Sequence, residues 1–378
     1  MGNNVMFFGH NRVFGTGPAE NQARVTIRAA RRITSTSVRF SVLLTIDQPL
    51  SVVSDIRVSL SRPGGGIFTL FYNIPIGAYS DTVDILMTDA PTDNTFVATA
   101  EITTINTAGV TGLGNTDTIS PSDIPDIASP TFVVASSSVG DSSPRGMAFS
   151  LDGSKMFVMG GTADSVREFN LPTPYSVSTI SFTNVTVNVN PQDQFPRGVR
   201  FNNDGRRMYI TGSDLDTVAQ YNLSTPWVLN TAVFNNQIAV TAQDGTPRSL
   251  FFRNDGEKMW VVGTDNDTIF EYDLSTAWEI STATYNNVSM ALNTANTNPE
   301  GVSIDPSGLR IWATDDTNDR IYQYDLTTAF DITTMVYNNV SFSTASQASQ
   351  PRDVVFSLDG SKMFIMDGNL DRVNEYNV

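Results

Sequence analysis

Pro144-Arg145-Gly146-Met147-Ala148-Phe149-Ser150-Leu151-Asp152-Gly153-Ser154-Lys155-Met156-Phe157-Val158 decides the fold, because the chain repeats this pattern five times. The pattern restarts at Pro196, Pro247, Pro299 and Pro351, at spacings of 52, 51, 52 and 52 residues. Asp152-Gly153, Asp204-Gly205, Asp255-Gly256, Ser307-Gly308 and Asp359-Gly360 each fall between two apolar runs. Glycine there supplies the positive φ of a tight hairpin. Each unit continues through an acidic loop, a strand ending in Tyr-Asn-Leu or a similar phrase, and an aromatic turn to a last strand such as Ala283-Thr284-Tyr285-Asn286-Asn287-Val288. Four strands per unit of about fifty residues cannot hide two apolar faces alone, so the units must stack around an axis as the blades of a propeller.

The fifth unit reaches only its third strand at Tyr376-Asn377-Val378. Val133 stands as far before Pro144 as Val340 stands before Pro351, which puts Thr131-Phe132-Val133-Val134-Ala135 in a fourth-strand position with no blade of its own. Strand 131–135 is therefore expected to complete the last blade and remove the open edges. The fold class expected is all-β: an N-terminal antiparallel β-sandwich followed by a closed five-bladed β-propeller.

The phrase Pro-x-Gly-x-x-Phe-x-x-Asp-Gly-x-Lys-Met-Phe/Tyr-Val, followed by Tyr-Asn/Asp-Leu-Ser-Thr-Pro/Ala-Trp, resembles the repeats of the YVTN and lactonase-like propellers. Its Ser-Thr-Pro-Trp variant is similar to repeats in virion proteins of tailed bacteriophages and in some bacterial surface proteins. The resemblance spans roughly two-thirds of the chain and speaks to fold more than to function.

Residues 22–115 carry a different pattern, with alternating runs such as Ala23-Arg24-Val25-Thr26-Ile27 between Pro and Gly turns, as in an antiparallel sandwich. The run from Ile67 to Ser80 is similar to the hairpin of Calx-β and related immunoglobulin-like modules. Residues 116–128 read as a linker and 129–378 as the propeller. Ahead of the sandwich, residues 1–21 form an arm in which Phe7, Phe8, Val13 and Phe14 stand among glycines and asparagines, the expected anchoring residues of a docking segment.

The 378 residues carry 23 basic and 39 acidic side chains, a net charge of −16. That charge excludes a nucleic-acid partner, which would need basic counter-charge for phosphates. With no cysteine, disulfides and thiolate chemistry are excluded. No stretch has the form of a secretory signal or a membrane span, so synthesis in a cytoplasm and no membrane insertion are expected.

His10, the only histidine, lies in the arm, so a Ser-His-Asp triad or a multi-histidine metal site is not open to the propeller. Carboxylate hydrolysis would need two acids near the inner strands, where Glu300, Asp305 and Asp353 stand. Glu300 replaces the arginine that the other units carry as Arg145, Arg197, Arg248 and Arg352. Loops with Asp214, Asp216, Asp265, Asp267, Asp315, Asp316 and Asp319 emerge on the same face as those arginines. They read as inter-blade pairing and loop capping, or else as a ligand or cation face, with Ca²⁺ the cation considered and no other cofactor. Tyr175, Trp227, Trp278 and Phe330 recur on the opposite face, as blade packing or as aromatic contacts for a glycan.

The resemblance then implies a non-catalytic structural protein of a tailed-phage virion. The arm and sandwich would hold other virion proteins, and the propeller would be displayed for host-surface contact with a glycan or protein, as a tail fibre or adhesin, or for capsid decoration. A symmetric oligomer or assembly is expected. A bacterial surface lectin-like protein is the first alternative, and a five-bladed glycoside hydrolase or lactonase the second.

Overall fold

In the computed structural model the described residues are the backbone strands between 23 and 119, and residues 127–378 apart from 293–295, 306–307 and 358–359. The chain divides into two units, 1–123 and 124–378. The anchoring residues Phe7, Phe8, Val13 and Phe14 lie outside the described residues.

In the first unit one antiparallel sheet runs in the order Ala23–Thr34, Ser37–Ile46, Ser80–Met87. A second runs Ile67–Ile74, Ser54–Ser61, Phe96–Thr103, Thr116–Ile119. The last of these strands falls within the stretch read from sequence as linker.

The second unit is a five-bladed propeller of four-stranded antiparallel sheets. Blade one is Pro144–Phe149, Lys155–Gly160, Ser165–Asn170 and Ser181–Asn188, counted from the axis outward. Blades two, three and four repeat it from Pro196, Pro247 and Pro299. Blade five is Pro351–Phe356, Lys362–Asp367 and Arg372–Asn377, with Thr131–Ala135 paired antiparallel as its outer strand. The second strands are buried along almost their whole length, whereas the outer strands alternate buried and exposed, as a half-solvated strand should.

The hairpin glycines have a second reason besides φ. Gly205 adopts φ +69, and the Trp227 ring lies so close that a Cβ would sit 2.3 Å from it. The same ring is 5.2 Å from that of Phe201 in its own blade and 6.3 Å from that of Phe157 in blade one. Tyr175 and Phe330 likewise pack on Phe364 and Trp260 of the preceding blades. Trp278 rests on Phe252 of its own blade, and its carbonyl accepts from Tyr209 of blade two at 2.7 Å. The four aromatic residues are thus wedges at blade seams, half-buried and at positive φ.

A second device locks the seams near the rim. Glu168 accepts from the Leu229 N–H of blade two at 3.0 Å, and Gln220 from the Ile280 N–H of blade three at 3.1 Å. Glu375 accepts from the Val177 N–H of blade one at 2.9 Å. Gln323 of blade four accepts from the Ile127 N–H at 3.2 Å, so Ile127 fills in blade five the place of Val177, Leu229 and Ile280. Ile127 is fully buried, and the closing segment thus supplies a turn residue as well as a strand.

Candidate active site at the channel mouth

The second residue of each inner strand surrounds the axis, and at that point the pairing of inner and second strands shifts register. Such a bulge re-aims side chains. It turns Arg145, Arg197, Arg248, Glu300 and Arg352 toward one pocket of about 180 Å³ of unfilled space, its opening to solvent included. Asp353 lies at the base of this pocket.

The base is a plug. Arg200 of blade two holds Asp353 of blade five through two parallel bonds, Nη1 to Oδ2 and Nη2 to Oδ1, each 2.8 Å. The same guanidinium donates to Met147 O of blade one at 3.0 Å, Val199 O of blade two at 2.9 Å and Val302 O of blade four at 2.9 Å, and lies 3.4 Å from Ser249 Oγ of blade three. One side chain therefore touches all five inner strands. Asp353 also accepts from the Met147 N–H at 2.8 Å and is almost wholly buried, so its charge is paired and bonded as a buried charge must be.

Above the plug the charges divide unevenly. Glu300 pairs with Arg352 at 2.7 Å and with Arg248 at 3.6 Å. Asp316 pairs with the same Nη1 of Arg352 and accepts from Asn298. Arg197 is held through Nε on Ser213 Oγ at 2.9 Å, and Arg248 through Nε on Thr264 Oγ1 at 3.1 Å. Burial first, and then the guanidinium groups of Arg248 and Arg145, push Arg197 down to about 10. Burial and the neighbouring Arg352 and Arg248 lower Arg145 as well. Burial, followed by the Glu300 charge, raises the Asp316 carboxyl above its ordinary value despite the opposing Arg352.

Of the three acids that sequence placed near the inner strands, Glu300 and Asp353 reach the pocket and Asp305 does not. The Asp305 carboxylate caps its own hairpin, accepting from Leu309 and Arg310 N–H at 2.8 Å each. Of the seven loop aspartates only Asp316 meets an arginine of the ring. Asp216, Asp267 and Asp319 sit at left-handed φ of 48 to 51. Their carbonyls accept from Val240, Leu292 and Thr344 at the end of each outer strand, a backbone role that a short polar residue tolerates. Asp315 bonds the Thr297, Thr317 and Asn318 N–H groups, Asp265 accepts from Thr246 Oγ1, and Asp214 is exposed. Among the described residues no group of three or more His, Asp or Glu is gathered as a metal site.

Asp315 shows how the repeat conserves a contact by moving it. In blades one to three the loop is capped by Asp141, Asp193 and Asp244, three residues before the inner strand. A glycine faces each at the end of the second strand, where a Cβ would lie 2.0 to 2.2 Å from the carboxylate. In blades four and five the second strand itself ends in the aspartate, Asp315 or Asp367, and the loop offers Asn296 or Ala348.

Arg200 escaped the sequence reading. Its signal was a charge at the fifth inner-strand position, where the other blades carry Ala148, Phe251, Ser303 and Val355.

No family model and no curated protein matches the chain. Solved structures similar to it include a Bacteroides uniformis protein provisionally named a 6-phosphogluconolactonase, 15% identical over 77% of this chain and 96% of that one, with a TM-score of 0.38. A Bacteroides fragilis protein provisionally given the same name is 12% identical over 87% and 92%, with a TM-score of 0.38. The Pseudomonas aeruginosa periplasmic gluconolactonase is 13% identical over 86% and 92%, with a TM-score of 0.36. What the chain has in its own right is a β-propeller of five blades. The expectation that it is no enzyme meets a correction: the three structures just described are named as lactonases, two of them provisionally. At these identities and TM-scores the likeness is one of fold and assigns this chain no reaction. Nothing in the comparisons supports the virion, tail-fibre or capsid expectation, or the immunoglobulin-like one.

Proposed function

We propose that the propeller hydrolyses a small molecule of the lactone or glycoside class at the mouth of its channel. The observation that carries this reading is the pair of carboxylates, Glu300 and Asp316, held on one guanidinium nitrogen of Arg352. Only blade four offers them: the other blades have arginine in place of Glu300, and Gly161, Ser213, Thr264 and Gly368 in place of Asp316. Asp316, raised by burial, is the proton donor, and Glu300 is the carboxylate that takes the proton of the attacking water. With a lactone, water adds to the carbonyl carbon as Glu300 takes its proton, the adjoining arginines face the oxyanion that forms, and the ring C–O bond then breaks as its leaving oxygen takes the Asp316 proton. The proposal takes the two sheets described above, from Ala23 to Ile119, as a separate sandwich.

The test is hydrolysis of gluconolactone in a pH-stat and of nitrophenyl glycosides by absorbance, with the full chain and with Glu300→Gln and Asp316→Asn. Turnover above the buffer rate, falling about 10²-fold or more in either variant, supports the reading. Rates equal to buffer for every substrate, or rates indifferent to both variants, overturn it.

A further inference from the structure

The mouth carries more positive charge than its acids answer. Glu300 and Asp316 both lie on Arg352, with Arg248 at the longer distance of 3.6 Å, and Asp353 is consumed by Arg200 below. Arg145 makes no hydrogen bond or ion pair among the described residues. Arg197, which lines the pocket, makes one through its side chain, from Nε to the neutral Ser213, which fixes the side chain and leaves both Nη groups without a hydrogen-bond partner among the described residues. These two guanidinium groups stand on adjacent blades and belong to a chain whose net charge is −16, so the surplus is local and opposite in sign to the whole. Like charges crowded in a partly desolvated cleft raise the free energy of the empty site, and an oxyanion relieves it through charge-assisted forked bonds.

We infer that Arg145 and Arg197 form the seat of an oxyanion, a carboxylate or phosphate group, carried by the molecule that enters the mouth. The plug of Arg200 and Asp353 sets the depth: the ligand rests on the rim side and does not thread the channel. This deepens the hydrolase reading by naming the charge of its ligand, and rests on that reading only for turnover.

The experiment is calorimetric titration with inorganic phosphate and, separately, with gluconate, at constant ionic strength against chloride. It uses the full chain, Arg145→Gln/Arg197→Gln, Glu300→Gln, and Arg206→Gln as a control on a hairpin away from the mouth. Saturable binding that weakens at least about tenfold in the double variant and holds in R206Q supports the seat. With the repulsion removed, the double variant should also melt at a higher temperature than the parent in anion-free buffer. Phosphate binding above gluconate binding identifies a phosphorylated ligand, and the reverse a carboxylate. Absence of binding by both anions, or binding equal in parent and double variant, overturns the seat. E300Q retains the seat and should still bind; anion binding by the parent chain without hydrolysis sinks only the hydrolase reading. Hydrolysis without anion binding sinks only the seat.

Discussion

Arg200 and Asp353 face each other across the propeller axis from blades two and five, joined by two bonds of 2.8 Å, with Asp353 almost wholly buried. Neither residue type recurs at its position. The first inner-strand position concerned has glycine or serine in the other blades, Gly146, Gly198, Ser249 and Gly301, and the second has Ala148, Phe251, Ser303 and Val355.

Removing one partner should therefore cost far more than removing both. Arg200→Ala leaves a buried carboxylate unanswered and is expected to lose about 3–5 kcal/mol. Arg200→Ala/Asp353→Gly, which installs the residues blade one carries, should recover a large part of that loss. Urea unfolding of the double-mutant cycle measures it, and additive effects would show that the bridge is not a coupled pair.

The exchange between glycine and aspartate at the loop caps predicts a rescue. Asp244→Ala frees the loop N–H groups and should cost about 1–3 kcal/mol. Gly263→Ala forces a Cβ into the Asp244 carboxylate and should cost a similar ~1–3 kcal/mol. Asp244→Ala/Gly263→Asp rebuilds the arrangement of blade five and should melt closer to the parent than either single variant. A double variant less stable than Asp244→Ala would refute the exchange.

Stability should rise on mild acidification. Asp216, Asp267, Asp319 and Asp371 in the turns, with Asp244, Asp316 and Asp367, are all raised, chiefly by burial. A carboxyl raised in the folded state binds its proton more tightly there than in the unfolded chain. Its contribution is complete below the unfolded value and is lost as pH rises through the folded one. Asp152, Asp273 and Glu279 are lowered and act oppositely, losing their contribution as pH falls through their folded values. Melting temperature is thus expected to increase from pH 7.5 toward the upper carboxylate range and to drop at stronger acid. A steady fall throughout that range would contradict the assignment.

Closure of the ring depends on Ile127. Ile127→Asp places an unpaired charge in a fully buried seam and should cost more than ~3 kcal/mol. Gln323→Ala, which removes the acceptor shared by its N–H and by Trp312 Nε1, should cost about 1–3 kcal/mol. Calorimetry of both variants checks the order. Equal stability of Ile127→Asp and parent would mean that the segment is dispensable.

The propeller was legible because its signals are local. The period, the hairpin glycines and the unbroken apolar second strands each reside within a few residues, and the surplus strand at 131–135 followed from counting. The channel was less legible, since Arg200 and Asp353 meet through a space that no sequence interval encodes. Glu300 stood out because it breaks the arginine series, but its link to Asp316 depends on Arg352 of the next blade. The loop aspartates looked alike in sequence and proved to hold different posts. Asp216 serves through its carbonyl, Asp315 through both carboxylate oxygens, and only Asp316 through charge on the arginine ring.

The strand at 131–135 also fixes an order in time and a direction of weakness. During synthesis it leaves the ribosome without the edge it will join, for Ser136 and its partner Val373 are 237 residues apart. Blades one to four can gather beforehand as an open arc, and the circle shuts only when the final strands arrive. The same strand continues into the chain leading back to the first unit. A pull transmitted through that unit falls on the backbone bonds of one short outer strand, and the circle should give way there, unclasping into an arc while the other blades keep their interiors.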